Sequence, residues 1–175
     1  SGWWDSATDG IDGEDRTHWD TPYIMSPQNP DIMYTGTYRV YKNQTGGFPY
    51  WEPISESLTD SVIYGNSFHT ISTLDQSPML SGLIYVGTTD GNVWRTDNDG
   101  GEWIDLTSGL PDRYITSIKA SPELENSVFV TVSGYKYNDF DPHIFKSDDR
   151  GDSWFDIAGD LPNLAINDVY VLPGH

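Results

Sequence analysis

Four groups of residues have types and spacing that could do chemistry. Asp90, in YVGTTDGNVW (85–94), is a carboxylate at a T-x-D-G string that also reads as an ordinary hairpin turn. The run DGIDGEDR (9–16) places Asp9, Asp12, Glu14 and Asp15 among glycines, oxygen ligands on a pliable loop of the kind calcium takes, though without EF-hand spacing. Arg150-Gly151-Asp152-Ser153 spells the string that integrin-type receptors read on exposed loops. Trp3, Trp4 and Trp19 are aromatic rings that could stack on sugars; packing of Trp3 and Trp4 as part of a preceding structural unit is the favoured reading. The absence of cysteine removes disulfides, thiol catalysis and Cys-based metal sites together.

Whether these groups are sites depends on the elements that carry them, and those elements repeat. RTDNDGGEW (95–103) aligns with KSDDRGDSW (146–154), and YKNQTGGFPYW (41–51) is a looser copy with one extra residue before its tryptophan. Trp51, Trp103 and Trp154 are each followed seven positions later by Leu58, Leu110 and Leu161. Ser-Pro pairs at 26–27, 77–78 and 121–122 each precede an apolar run. A period of about fifty residues with fixed internal landmarks denotes repeated supersecondary units.

Within a unit the hydrophobic period is two, as in YITSIKASP (114–122) and SVFVTVSG (127–134), with Gly, Pro, Asp or Asn at the boundaries. No stretch shows helical spacing over ten or more residues. The expectation is an all-β chain of four-stranded antiparallel units, the blades of a partial β-propeller. Residues 18–60, 61–112 and 113–163 make three blades, 164–175 the first strand of a fourth, and 1–17 the end of a preceding blade or an acidic loop. The recurring motif then falls on the turn between third and fourth strands. There Asp149 accepts backbone amides, Gly151 supplies a positive φ, and Trp154 packs on the blade core.

These residues resemble the Asp-box, or BNR, repeat, Ser/Thr-x-Asp-x-Gly-x-x-Trp. Ser147, Asp149, Gly151 and Trp154 match it in full. Thr96, Asn98, Gly100 and Trp103 match with an amide for the carboxylate, and Asn43, Thr45, Gly47 and Trp51 form a degraded copy. The resemblance covers about residues 18–173 and points to sortilin-like and xyloglucan-hydrolase-like secreted bacterial proteins. It implies that the box is scaffold, remote from the ligand face, and that the Arg-Gly-Asp letters are a coincidence of spelling. It also makes Asp90 the counterpart of one aspartate of the xyloglucan hydrolases, against which the plain turn reading is preferred. A sialidase would need an arginine cluster. The five arginines are Arg16, Arg39, Arg95, Arg113 and Arg150, and Arg39, Arg95 and Arg150 are tied to the repeated turns.

Charge narrows the function. Nine basic residues against 27 acidic ones give −18, which repels nucleic acid and anionic membranes. No apolar run is long enough to span a bilayer. The expected protein is a non-catalytic secreted or cell-surface scaffold or binding module for polysaccharide or an extracellular protein, with calcium the one cofactor considered. Its alternatives are a fragment of a glycoside hydrolase whose catalytic partner lies elsewhere and an architectural repeat of a surface assembly. The insertion YKYNDFDPH (135–143) is a further place for ligand contacts. Three and a fraction blades leave unpaired sheet edges, so the segment is expected to join further blades or to self-associate.

Overall fold

The computed structural model describes residues 7–46, 50–60 and 69–173. Twelve strands form three four-stranded antiparallel sheets, each in chain order. The first holds β1 (Tyr23–Met25), β2 (Met33–Gly36), β3 (Val40–Asn43) and β4 (Glu52–Pro53). The second holds β5 (Ile71–Gln76), β6 (Ile84–Thr88), β7 (Val93–Thr96) and β8 (Ile104–Asp105). The third holds β9 (Tyr114–Ala120), β10 (Val128–Ser133), β11 (His143–Ser147) and β12 (Phe155–Asp156). This is a partial β-propeller, and no α-helix occurs among the described residues.

Alternation explains how the sheets stack. In β6, Ile84 and Val86 join Tyr34, Val40, Leu58, Ile71 and Leu74 in a core between the first and second sheets. Tyr85 points the other way, joining Leu83, Val93, Leu106, Ile115, Ile118 and Val130 between the second and third. A middle sheet apolar on both faces is therefore buried on both, and β6 has no exposed residue. Close approach is set at Gly87, where a Cβ would lie 2.4 Å from Ile115 Cγ2.

Two departures from simple alternation recur. The β5–β6 register shifts between Ile71 and Thr73, and the β10–β9 register shifts opposite Thr116, so Ser72 and Thr116 are bulged residues. Ser72 Oγ donates to the Ile115 carbonyl of the next sheet at 2.5 Å. Thr116 Oγ1 donates in the same way to the Ile166 carbonyl at 3.1 Å. Residues 164–173 thus run beside β9 as β9 runs beside β5, with Val169 and Val171 half-buried and Asp168 and Tyr170 exposed. They are not, however, a strand: a ladder needs a second strand, and the described residues supply none there. The outermost strands are also shorter than the apolar runs suggest. Each keeps two residues, and in β4 one is Pro53, which has no N–H to give.

The Ser-Pro marks are turn devices between first and second strands. Ser77 Oγ accepts from the N–H groups of Met79 and Leu80, and Ser121 Oγ from those of Glu123 and Leu124.

Candidate functional site

The repeated turns lie between β7 and β8 and between β11 and β12. In the latter, Ser147 Oγ donates to Asp149 Oδ1 at 2.7 Å and accepts from Gly151 N at 2.7 Å. Asp149 also accepts from Ser153 N at 2.8 Å and Ser153 Oγ at 2.6 Å. The Ser153 hydroxyl first, then Ser147 and the Ser153 amide, hold the Asp149 carboxyl down at about 2. Gly151 (φ +96°) packs against Leu106, where a Cβ would stand 2.5 Å from a methyl carbon. In the other turn Thr96 Oγ1 accepts from Gly100 N at 2.9 Å, and Asn98 Oδ1 accepts from Glu102 N at 2.9 Å. An amide oxygen serves there as well as a carboxylate. In the loosest copy Asn43 Oδ1 accepts from Thr45 N at 2.9 Å; Gly47 lies outside the described residues.

The tryptophans tie each unit to the one before it. Trp103 Nε1 donates to the Ile54 carbonyl and Trp154 Nε1 to the Leu106 carbonyl, both at 2.9 Å. Trp51 Nε1 donates to the Ala7 carbonyl at 2.7 Å. Residues 7–9 therefore stand against the first sheet where Ile54 and Leu106 stand against the second and third.

The Arg-Gly-Asp string is committed internally. Arg150, itself at φ +63°, reaches Asn126 Oδ1 at 2.8 Å and pairs with Glu125 and, at 3.6 Å, Asp97. Asp152 accepts from the buried Arg95 at 3.1 Å. The acidic loop is divided likewise. Asp15 is 2% exposed and takes Tyr41 Oη at 2.6 Å, Thr37 Oγ1 at 2.9 Å and Arg39 at 3.3 Å. Asp12 accepts from Glu14 N, and Asp9 offers its backbone carbonyl to Trp51 N. Among the described residues no three His, Asp or Glu side chains gather in a way that could hold a metal ion.

At the opposite end of the strands a cavity of about 550 Å³ opens. Antiparallel order puts the turns after second strands and the entries into first strands at that end, away from the repeated turns. Its walls are Thr17, His18 and Trp19 before β1, and Asp60, His69 and Thr70 before β5. Asp112 and Tyr114 come from the entry into β9, Thr89 and Asp90 from the β6–β7 turn, Ser133 from the end of β10, and Lys136 and Tyr137 from the insertion that follows it. Trp3 and Trp4 lie outside the described residues; Trp19 is fully exposed at the rim. None of the five arginines lines the cavity.

Asp90 occupies a turn, as its T-x-D-G context indicates, yet its side chain is only 5% exposed. Its Oδ2 accepts from Asp60 N at 2.6 Å and lies 3.1 Å from His69 Nδ1, out of hydrogen-bond alignment. Its Oδ1 is buried with no donor, as is Thr70 Oγ1 with no partner. Three of the seven buried side-chain polar atoms left unpaired among the described residues, on His69, Thr70 and Asp90, thus belong to this wall. Tyr114 Oη lies 3.3 Å from His18 Nε2, and burial first, then the nearby Asp20 charge, pushes the Tyr114 hydroxyl upward. In the insertion a 3₁₀ turn, Tyr135–Tyr137, presents Tyr137 with the Arg113 guanidinium 4.2 Å over its ring.

No family model and no curated relative matches the sequence. Solved structures do match, all at low identity. The GH74 xyloglucanase from Xanthomonas campestris superposes with a TM-score of 0.58 at 16% identity, over 79% of this chain and 23% of that one. The C-terminal WD40 domain of Sif2 gives 0.55 at 14%, over 84% and 39%. YCF48 bound to D1 peptide gives 0.51 at 14%, over 82% and 45%. The chain spans less than half the length of each. These likenesses establish the propeller fold, which carries glycoside hydrolases and non-enzymatic proteins alike.

Proposed function

We propose that the chain is a segment of a secreted, non-catalytic propeller that binds polysaccharide in the cavity at the β6–β7 turn end. The observation that carries the reading is an open cavity walled by hydroxyl and carboxylate side chains beside an exposed indole. Thr17, Asp60, Asp112 and Tyr114 line the cavity, and the Trp19 indole is exposed at its rim. A pyranose ring has an apolar face for an indole and a belt of hydroxyls for carboxylates and threonines. Among the solved likenesses, a xyloglucanase supports a sugar ligand and YCF48 bound to D1 peptide supports a protein one. The open, hydroxyl-lined cavity favours the former. The Asp-box resemblance and the charge of −18 support secretion. Calcium bound by Asp9, Asp12 and Asp15 is no part of this reading.

A second reading is specifically favoured by Asp90: a buried carboxylate in a cleft is what a glycosidase uses as acid or nucleophile, provided a second carboxylate faces it across the sugar. Asp60 and Asp112 line the same cavity, but neither is buried. One experiment separates the readings. Oligosaccharides of β-glucan and xyloglucan are titrated calorimetrically and assayed for new reducing ends. Binding without cleavage, weakened by Trp19→Ala, is expected. Reducing-end release that Asp90→Asn abolishes would favour the enzyme, and no binding to any glycan would sink both.

A further inference from the structure

Two exposed aromatic rings reach the cavity from different segments. Trp19 is fully exposed on the segment before β1. Tyr137 lines the same cavity from the insertion after β10 and is 63% exposed. One face of Tyr137 is taken, with the Arg113 guanidinium 4.2 Å from the ring centroid, so its exposure belongs to the opposite face and the edge. Arg113 is fixed in turn: its guanidinium donates to the Asp112 carbonyl at 2.7 Å and its backbone N–H to the Pro111 carbonyl at 2.8 Å. The insertion is closed by its own contacts. Tyr137 N donates to the Gly134 carbonyl at 2.8 Å, His143 pairs with Asp139 at 2.9 Å, and the Tyr135 and Phe140 rings meet edge to face at 5.8 Å. A ring held in this way is ordered before anything covers it, which lowers the entropic cost of binding.

Tyr114 joins the two segments. The His18 ring, next to Trp19 in the chain, lies 6.1 Å from the Tyr114 ring, and the Lys136 ammonium, next to Tyr137, lies 5.7 Å over that ring. We propose that Tyr137 is a second sugar platform and that one glycan chain lies across both rings, a refinement that rests on the glycan-binding reading above. One sugar stacks its apolar C–H face on the Trp19 indole and a later one stacks on the open face of Tyr137. Hydroxyls of the sugars between them meet the Tyr114 hydroxyl and the Asp112 carboxylate of the wall. The carboxylates of Asp60 and Asp112 repel a uronate, so the chain that fits is a neutral one.

The test is calorimetry of the intact chain with a β-1,4-glucan disaccharide and the matching hexasaccharide. The hexasaccharide is expected to bind about tenfold more tightly, the gain from covering one further aromatic ring. Tyr137→Ala should remove that gain and Tyr137→Phe should keep it. Tyr135→Ala should also keep it, because Tyr135 is a 66% exposed ring on the same 3₁₀ turn that does not line the cavity. Equal affinity of the two oligomers for the native chain overturns the second platform and leaves glycan binding standing. A gain that survives in Tyr137→Ala overturns it as well. Loss of the gain in Tyr135→Ala would assign it to the order of the insertion and not to the Tyr137 ring, which also contradicts the proposal. Binding of neither oligomer, nor of any other glycan, would instead remove the reading on which it rests.

Discussion

At the scale of single residues, the same side-chain type does opposite jobs according to its donors. Asp149 is surrounded by donors and exposed, so its anion is stabilised in the folded chain. A carboxyl whose folded value, about 2, lies below its unfolded one contributes stability that is fully present above the ordinary range near ~4. That contribution is lost as pH falls through about 2. Asp149→Ala should therefore lower the melting temperature at pH 7 and progressively less toward pH 2, whereas a constant difference across that range would refute the account of the turn. Asp152→Glu, which spoils the Arg-Gly-Asp string, should leave cell or matrix adhesion unchanged; loss of adhesion would show that a receptor reads the loop. Asp90 is the converse, buried with an idle oxygen. Its position in a turn was legible from T-x-D-G, but its burial was not. Its contacts are with Asp60 and His69, residues before β5 whose spacing from Asp90 carries no pattern.

At the scale of elements, the indole bonds join neighbouring sheets. Trp154→Phe keeps a ring but leaves the Leu106 carbonyl without its donor, an expected loss of about 1 kcal/mol. Trp51→Ala, at a site 8% exposed, should cost about 3–5 kcal/mol. Unchanged denaturation midpoints for both would remove the tryptophans from the core. Gly87→Ala should cost about 1–3 kcal/mol by forcing Ile115 from contact, and a neutral result would contradict the close approach of β6 and β9. The strands and their turns could be read from alternation and from the fifty-residue beat because both are local. The bulges at Ser72 and Thr116 could not, since each exists to reach a carbonyl on the adjoining sheet.

For the whole molecule, what the stacking leaves uncovered is chiefly a sheet face, where the sequence reading expected bare edges. Leu106 is 4% exposed between the second and third sheets, while Ile157, following its own repeated turn in the same way, is 42% exposed. Exposed apolar faces drive association. Sedimentation should thus show concentration-dependent self-association, reduced by Ile157→Lys; a monodisperse monomer at high concentration would contradict the uncovered face. The central claim is that ligand chemistry lives at the β6–β7 turn end and the repeated turns are scaffold. Amide and indole N–H spectra of the chain titrated with a xyloglucan oligosaccharide test it most directly. The account predicts shifts for the Trp19 indole and the Asp90 and Thr70 amides, with the Trp103 and Trp154 indoles unmoved. Shifts confined to Trp103, Trp154 and residues 147–153 would place recognition in the turns and contradict it.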